Sequence, residues 1–180
     1  MKIRNFRGGV HPEYNKHFTS DKPIKVLPAP KQVVIPLTQH TGAAAEPTVA
    51  KGEAVLLGQE IGQASHAVSA SVQSSVSGTV VAVEPRPAIN GRSVLSVVID
   101  NDGRDAAESM SGHHDPIQLS AEEIKSRVEA AGIVGLGGAA FPTSVKLNPP
   151  EDYKIEYLLL NGSECEPYLT ADQRIMEEHT

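Results

Sequence analysis

The chain has 180 residues, 39% hydrophobic and 21% charged, with aromatics at only 4% and no Trp. That is ordinary for a globular protein of one domain or two small ones, and it excludes a large aromatic-lined core. Sixteen scattered Lys and Arg against 22 acidic residues, a formal charge of −6, exclude a nucleic-acid surface, which needs clustered cations.

Gly 15 and Pro 13 are above average usage, so turns and short strands are expected over long helices. No run approaches the roughly 18 apolar residues of a membrane span. Met1-Lys2-Ile3-Arg4-Asn5-Phe6-Arg7 lacks the apolar core of a signal peptide, so the segment is expected in the cytoplasm, with a membrane partner still open. Cys165 is the only cysteine. One thiol cannot close an internal disulfide or hold an iron–sulfur cluster, which takes about four thiolates.

Residues 1 to 30 read as an extended arm, since Pro12, Pro23, Pro28 and Pro30 break helices and no helical period is present. Such an arm either wraps a neighbour or is a partly disordered lead. Residues 31 to 100 read as a compact all-β unit. Val33-Val34-Ile35 opens it, and Ala54-Val55-Leu56-Leu57 follows a Lys51-Gly52-Glu53 turn. Thr79 to Val83 leaves a Ser77-Gly78 turn, and Asn90-Gly91 signals a hairpin before the β-branched strand Val94 to Ile99. A unit of about 70 residues folds alone only marginally.

Asn101-Asp102-Gly103 ends the last strand, and residues 101 to 119 read as a polar linker. In the segment 120 to 180, Ser120-Ala121-Glu122-Glu123 spells a capping box. Ile124, Val128 and Ala131 share a face of the helix it starts, and Gly132 suits its end. Tyr153 to Leu160 reads as a buried strand, with a further helix from about Asp172. A helix, a strand and part of a helix do not complete an α/β layer, so this segment reads as the opening of a truncated α/β domain. The fold class expected is mixed α+β, a β module followed by the start of an α/β domain.

Two stretches carry chemistry. In Gly135-Leu136-Gly137-Gly138-Ala139-Ala140-Phe141-Pro142-Thr143, the glycines strip side chains from a loop so that its amides can approach a phosphate or a flat ring. The loop follows a helix, unlike the dinucleotide fingerprint that follows a strand. Taken alone, the cluster reads first as a tight helix-to-strand turn. Phe141 reads as core or as a stacking ring, and Lys146 as a surface lysine or a phosphate neutraliser.

The second stretch, Asn161-Gly162-Ser163-Glu164-Cys165-Glu166-Pro167, follows the expected strand at the end where α/β proteins bind ligands. Glu164 and Glu166, two apart, share a side in extended backbone. Paired carboxylates there need water, a cation or a hydroxyl-rich ligand, and a solvated acidic loop is an equal reading. Cys165 reads as a small packed residue, because no base is evident to activate it. The seven histidines lack zinc-type spacing and read as structural or solvated. No catalytic or metal-binding residue is assigned.

The β unit resembles the biotinyl/lipoyl-type barrel-sandwich fold through Val49-Ala50-Lys51-Gly52-Glu53-Ala54-Val55 and Val76-Ser77-Gly78-Thr79-Val80. A carrier domain of that kind presents a modifiable lysine on a hairpin. Here the matching neighbourhood is Ser65-His66-Ala67-Val68, and no lysine occurs between Lys51 and Lys125. The module is therefore expected to pack or dock and not to carry a swinging arm.

Nearly the whole chain resembles the RnfC family of the Rnf electron-transport complex. The likeness runs from Phe6-Arg7-Gly8-Gly9-Val10-His11-Pro12 through Pro36-Leu37-Thr38-Gln39-His40-Thr41-Gly42 and the module without a carrier lysine to the glycine loop and the segment Asn161 to Asp172. The last two also resemble the NADH- and FMN-binding flavoprotein subunit of respiratory complex I. The resemblance implies that Gly135, Gly137, Gly138 and Phe141 line an FMN and NAD(H) site. Lys146 and Asn161 would stand near the flavin, and Glu166, with Glu164 beside it, near the dinucleotide. Leu136, Ala140 and Ser163 stand where the flavoprotein relative has arginine, glycine and aspartate.

The resemblance also implies hydride exchange between nicotinamide and flavin, with electrons passing on to 4Fe-4S clusters held beyond Thr180. Electron exchange between NAD(H) and ferredoxin-linked carriers would be coupled to ion translocation. The implied partners are the other subunits of the membrane Rnf complex, NADH and, indirectly, ferredoxin-linked carriers, with no nucleic acid. The implied location is peripheral, on the cytoplasmic side of the inner membrane. The full-length protein is expected to be an oxidoreductase subunit and this segment alone to be inactive. The competing reading is a non-catalytic docking subunit that keeps the fold without the cofactor.

Overall fold

A computed structural model describes residues 12–89, 91–109, 116–150, 152 and 154–179. Phe6 to His11, Asn90 and Tyr153, all named in the sequence reading, lie outside the described residues. The chain divides into two compact units, Pro28–Lys154 and the pair of segments Met1–Leu27 with Ile155–Thr180.

The first unit is built on seven short strands: β1 (Gln32–Pro36), β2 (Glu46–Pro47), β3 (Ala54–Val55), β4 (Glu60–Gln63), β5 (Val72–Gln73), β6 (Gly78–Pro87) and β7 (Ser93–Asn101). They form two antiparallel sheets, ordered β1-β7-β6-β3 and β2-β4-β5. The strand expected over Val94 to Ile99 is the centre of β7, which pairs with β1 on one side and β6 on the other. Its β-branched Val97, Val98 and Ile99 are all buried, as suits a strand covered on both faces.

Ile35, Val55, Val80, Val97 and Ile99 from one sheet meet Ile61 and Val72 from the other, with Leu37, Ala45 and Val76 from the connections. The core is wholly aliphatic. It follows that alternating valines and isoleucines, not aromatic anchors, hold this small sandwich together. The β6–β7 turn closes with Ala88 N–H on Arg92 O at 2.8 Å and Gly91 N–H on Ala88 O at 2.9 Å.

After β7, Asp102 fastens the exit of the sheet. Its carboxylate accepts from Ser77 Oγ at 2.6 Å and from the Arg104 N–H at 2.9 Å. These bonds, the Ser77 hydroxyl first, hold its carboxyl below the usual aspartate range. Helix α1 (Ala121–Ala130) starts with the capping box read from the sequence: Ser120 Oγ accepts from Glu123 N–H, and Glu123 accepts from the Ser120 N–H at 2.8 Å. The helix buries none of its residues fully. It is anchored at its C-terminal end, where Gln73 Nε2 donates to Ala130 O at 2.9 Å. Gly132 follows at φ +62, and a Cβ there would stand 2.1 Å from Ser71 O. Only glycine both ends this helix and lets it touch β5. A four-residue helix, α2 (Thr143–Lys146), completes the unit.

In the second unit, α3 (Ala171–Glu178) starts one residue before the expected Asp172. The expectation of a buried strand over Tyr153 to Leu160 is not met. Residues 154 to 161 form no strand, and Ile155, Tyr157, Leu158, Leu159 and Leu160 are 62% to 90% exposed. The physical reason is that a strand is made by a neighbour's ladder, and the described residues supply none here.

Candidate functional site

The glycine loop is a closed structure. Val134 and Pro142 form an antiparallel bridge at its base. Gly135 N–H donates to Phe141 O at 2.9 Å, and Thr143 N–H donates to Ile133 O at 2.9 Å. Pro142 is fully buried at this neck, and Phe141 is half-buried. Between them the tip is open: Leu136 is 90% exposed, and Gly137, Gly138 and Ala139 are exposed as well.

A Cβ placed on Gly137 or Gly138 would meet nothing within 4 Å. Packing inside this unit therefore does not demand glycine at Gly137, and the loop offers uncovered backbone to anything that approaches. Ala140 adopts φ +47, a left-handed conformation that glycine takes more easily. Gly135 differs from its neighbours, because a Cβ there would stand 2.8 Å from Lys146 Nζ. The exposed Lys146, last residue of α2, thus lays its ammonium over the first glycine of the loop.

The far side of the loop is held by a residue that the sequence reading does not single out. Thr41, in the connection after β1, donates its N–H to Ala140 O at 3.1 Å and its hydroxyl to Ala139 O. It lies inside the run Pro36 to Gly42, but nothing in a linear pattern marks a partner 98 residues away.

The carboxylate loop belongs to the other unit. Asn161 is exposed, and its Oδ1 accepts from Ser163 N–H at 3.0 Å, a local turn. A Cβ on Gly162 would press on Met176 of α3, with Cε at 3.1 Å and Sδ at 3.2 Å. Glu164 is half-buried, and its Oε1 accepts from the Asp172 and Gln173 N–H groups at 2.8 and 3.2 Å. The carboxylate therefore caps α3, a stabilising place for negative charge. Glu166 is exposed, and so is Cys165, which corrects the expectation of a packed thiol.

The N-terminal arm wraps this loop. Lys16 Nζ donates to Leu169 O at 2.7 Å and to Glu166 O at 3.4 Å. Tyr168, at φ +68, donates its N–H to Tyr14 O at 2.8 Å, accepts from Thr19 Oγ1 at 2.5 Å and stacks on Phe18 at 6.1 Å. Arg174 donates to Ser20 O at 3.2 Å, and Glu178 accepts from Ile24 N–H at 3.1 Å. Arg174 also pairs with Glu177 and Glu178. The Arg174 guanidinium and then the Ile24 amide hold the Glu178 carboxyl below the usual glutamate range, while Glu178 raises Arg174 in turn.

Among the described residues, no three His, Cys, Asp or Glu side chains are grouped to hold a metal ion, and no helix is long and apolar enough to cross a membrane. His40 is buried, and its Nε2 accepts from Ala70 N–H at 3.1 Å within the β module.

A barrel sandwich with no lysine at its carrier hairpin, leading into a segment with an open glycine loop, defines the class: a barrel-sandwich hybrid module joined to a flavoprotein-type segment. Known families agree with this class. Residues 4–104 match the RnfC barrel sandwich hybrid domain, and residues 128–180 match the Nuo51 FMN-binding domain. The chain belongs to the RnfC family.

It is 47% identical over 177 residues to the C subunit of the Na(+)-translocating ferredoxin:NAD(+) oxidoreductase complex of Acetobacterium woodii, covering 98% of the chain and 40% of that relative. It is 44% identical over 179 residues to the C subunit of the proton-translocating ferredoxin:NAD(+) oxidoreductase complex of Clostridium ljungdahlii, covering 99% and 39%. It is also 44% identical over 176 residues to the C subunit of the ion-translocating oxidoreductase complex of Rhodobacter capsulatus, covering 97% and 34%. The chain thus spans 34% to 40% of the length of these curated relatives.

Proposed function

We propose that this chain is the barrel-sandwich module and the first part of the FMN-binding domain of a peripheral electron-transport subunit. That subunit works on the cytoplasmic side of the inner membrane, within a complex of further subunits. It exchanges electrons between NAD(H) and, through flavin and iron–sulfur clusters, ferredoxin-linked carriers, with ion translocation coupled to the transfer.

The observation that carries this reading is the glycine loop. Gly137 and Gly138 leave backbone open where packing inside the unit asks for no glycine at Gly137, within a segment that matches an FMN-binding domain. Bare backbone beside an ammonium fits a planar ring with a phosphate tail. FMN, when bound, supplies the interchange between hydride and single-electron chemistry.

The residues of this chain bind and orient. The amides of Gly137 and Gly138 meet the ligand, Phe141 gives an apolar wall, and Lys146 over Gly135 offsets negative charge. In the other unit, Glu164 steadies the carboxylate loop through its cap on α3, the loop whose Asn161 the resemblance assigns to the flavin and whose Glu166 it assigns to the dinucleotide.

Titrating the full-length protein with FMN, read by flavin absorbance and fluorescence, tests the proposal. Stoichiometric binding that is lost in Gly137→Val is expected. A wild-type protein that takes up no flavin, with NADH oxidation unchanged in Glu166→Ala, would overturn it in favour of the docking subunit.

A further inference from the structure

The β module grips the tip of the glycine loop through Thr41. Thr41 uses two donors, its N–H and its hydroxyl, on two successive carbonyls of the loop, Ala140 and Ala139. A carbonyl left free at the tip could turn its lone pairs toward an approaching phosphate or flavin oxygen and oppose it, whereas a loop whose carbonyls are engaged offers amides. The restraint matters most at Ala140, whose left-handed φ of +47 an alanine abandons readily without support.

Thr41 is itself immobilised from below. Ala43 N–H donates to Val68 O at 2.9 Å. Ser69 Oγ donates to Ala43 O at 3.0 Å, and Ser65 Oγ to Ala44 O at 2.8 Å. Gly42, at φ +110, lies so near that a Cβ would stand 2.1 Å from Val68 O. These partners, Ser65 to Ser69, form the tip between β4 and β5, the neighbourhood where a carrier domain would present its lysine. In this chain the tip is occupied in gripping residues 42 to 44. The other end of the glycine loop is tied to the same module, by Gln73 on Ala130 and by Gly132 against Ser71.

We infer that Thr41 is a positioning residue for the glycine loop and that the barrel module, which has no lysine at its carrier hairpin, is the brace that shapes this loop for its ligand. The inference rests on the flavin reading above for the identity of that ligand.

The test uses the full-length protein with Thr41→Val and Thr41→Ser. Hydrogen exchange over Gly135 to Phe141 is measured without FMN, and FMN affinity is measured by titration. Thr41→Val is expected to speed exchange in this loop alone and to weaken FMN about five- to tenfold, the size of one lost neutral hydrogen bond. Thr41→Ser should restore both. Unchanged exchange, faster exchange with unchanged FMN affinity, exchange raised equally across β6 and β7, or a serine variant that behaves like the valine one each overturns the inference. If the wild-type protein takes up no FMN, the flavin reading fails by itself, and the exchange series still decides whether Thr41 braces the loop.

Discussion

The two loops proposed to serve the cofactor are supported in opposite ways. The glycine loop stands on a finished aliphatic core, in which Leu37, Ile61, Val97 and Ile99 are fully buried. The carboxylate loop stands on polar threads. Among the described residues of its unit only Thr170 is buried, and its shape depends on Lys16, Thr19, Arg174 and Glu178. A loop braced by a packed core keeps its form whatever the solvent does. A loop held by exposed hydrogen bonds, each worth about 1 kcal/mol net, keeps it only while those bonds compete with water.

The comparison breaks most visibly in the cores. Leu37→Ala is expected to lower the stability of the β module by about 2–5 kcal/mol. Leu159→Ala, at a position 90% exposed in this structure, is expected to change the stability of the 180-residue chain by less than about 0.5 kcal/mol. Denaturant melts of both variants check this, and comparable losses would erase the distinction.

Next in size is Gly132→Val. It should cost about 2 kcal/mol, through an unfavourable φ and a clash with Ser71 O. Faster exchange in α1 and the glycine loop, with β7 unaffected, is the expected signature.

Acid sharpens the contrast from the other side. The folded-state Glu178 carboxyl lies below its ordinary range because of Arg174 and the Ile24 amide. Its contribution is therefore complete above the unfolded value of about 4.3 and is lost as pH falls from there through the folded one. Exchange at Ile24 and across α3 should rise over that window and be raised at neutral pH in Glu178→Gln. No change in either condition would mean that the arm is held by something else.

The last effect is a modest gain. Ala140→Gly should relieve the positive φ and stabilise the glycine loop by about 0.5–1 kcal/mol. A loss there would show that Thr41 holds alanine without strain.

The parts of this molecule that are legible in the sequence are those whose cause is local. Ser120 and Glu123 are three apart, and their reciprocal bonds need only the first turn of a helix. Val97, Val98 and Ile99 of β7 carry their burial on their own side chains. Glu164 reads in the sequence as half of a carboxylate pair and in the fold caps α3, because the amides it serves come from a helix eight residues on. Cys165 reads as a packed residue and lies exposed. The apolar run Ile155 to Leu160 shows the same limit on a larger scale, since hydrophobicity announces a strand but only a neighbouring ladder makes one.

The sequence by itself carried the resemblance to the family, the β module without a carrier lysine, and the two loops proposed to serve a cofactor. Short motifs act over a few residues, and the hairpin without a lysine and the two loops need no more. Only the tertiary structure decided what holds each loop: Thr41 against Ala139 and Ala140, and the arm at Lys16 against Glu166 and Leu169. Those contacts join residues 98 to 153 positions apart. Such pairs are brought together by the folding of the whole chain, and no local pattern records them.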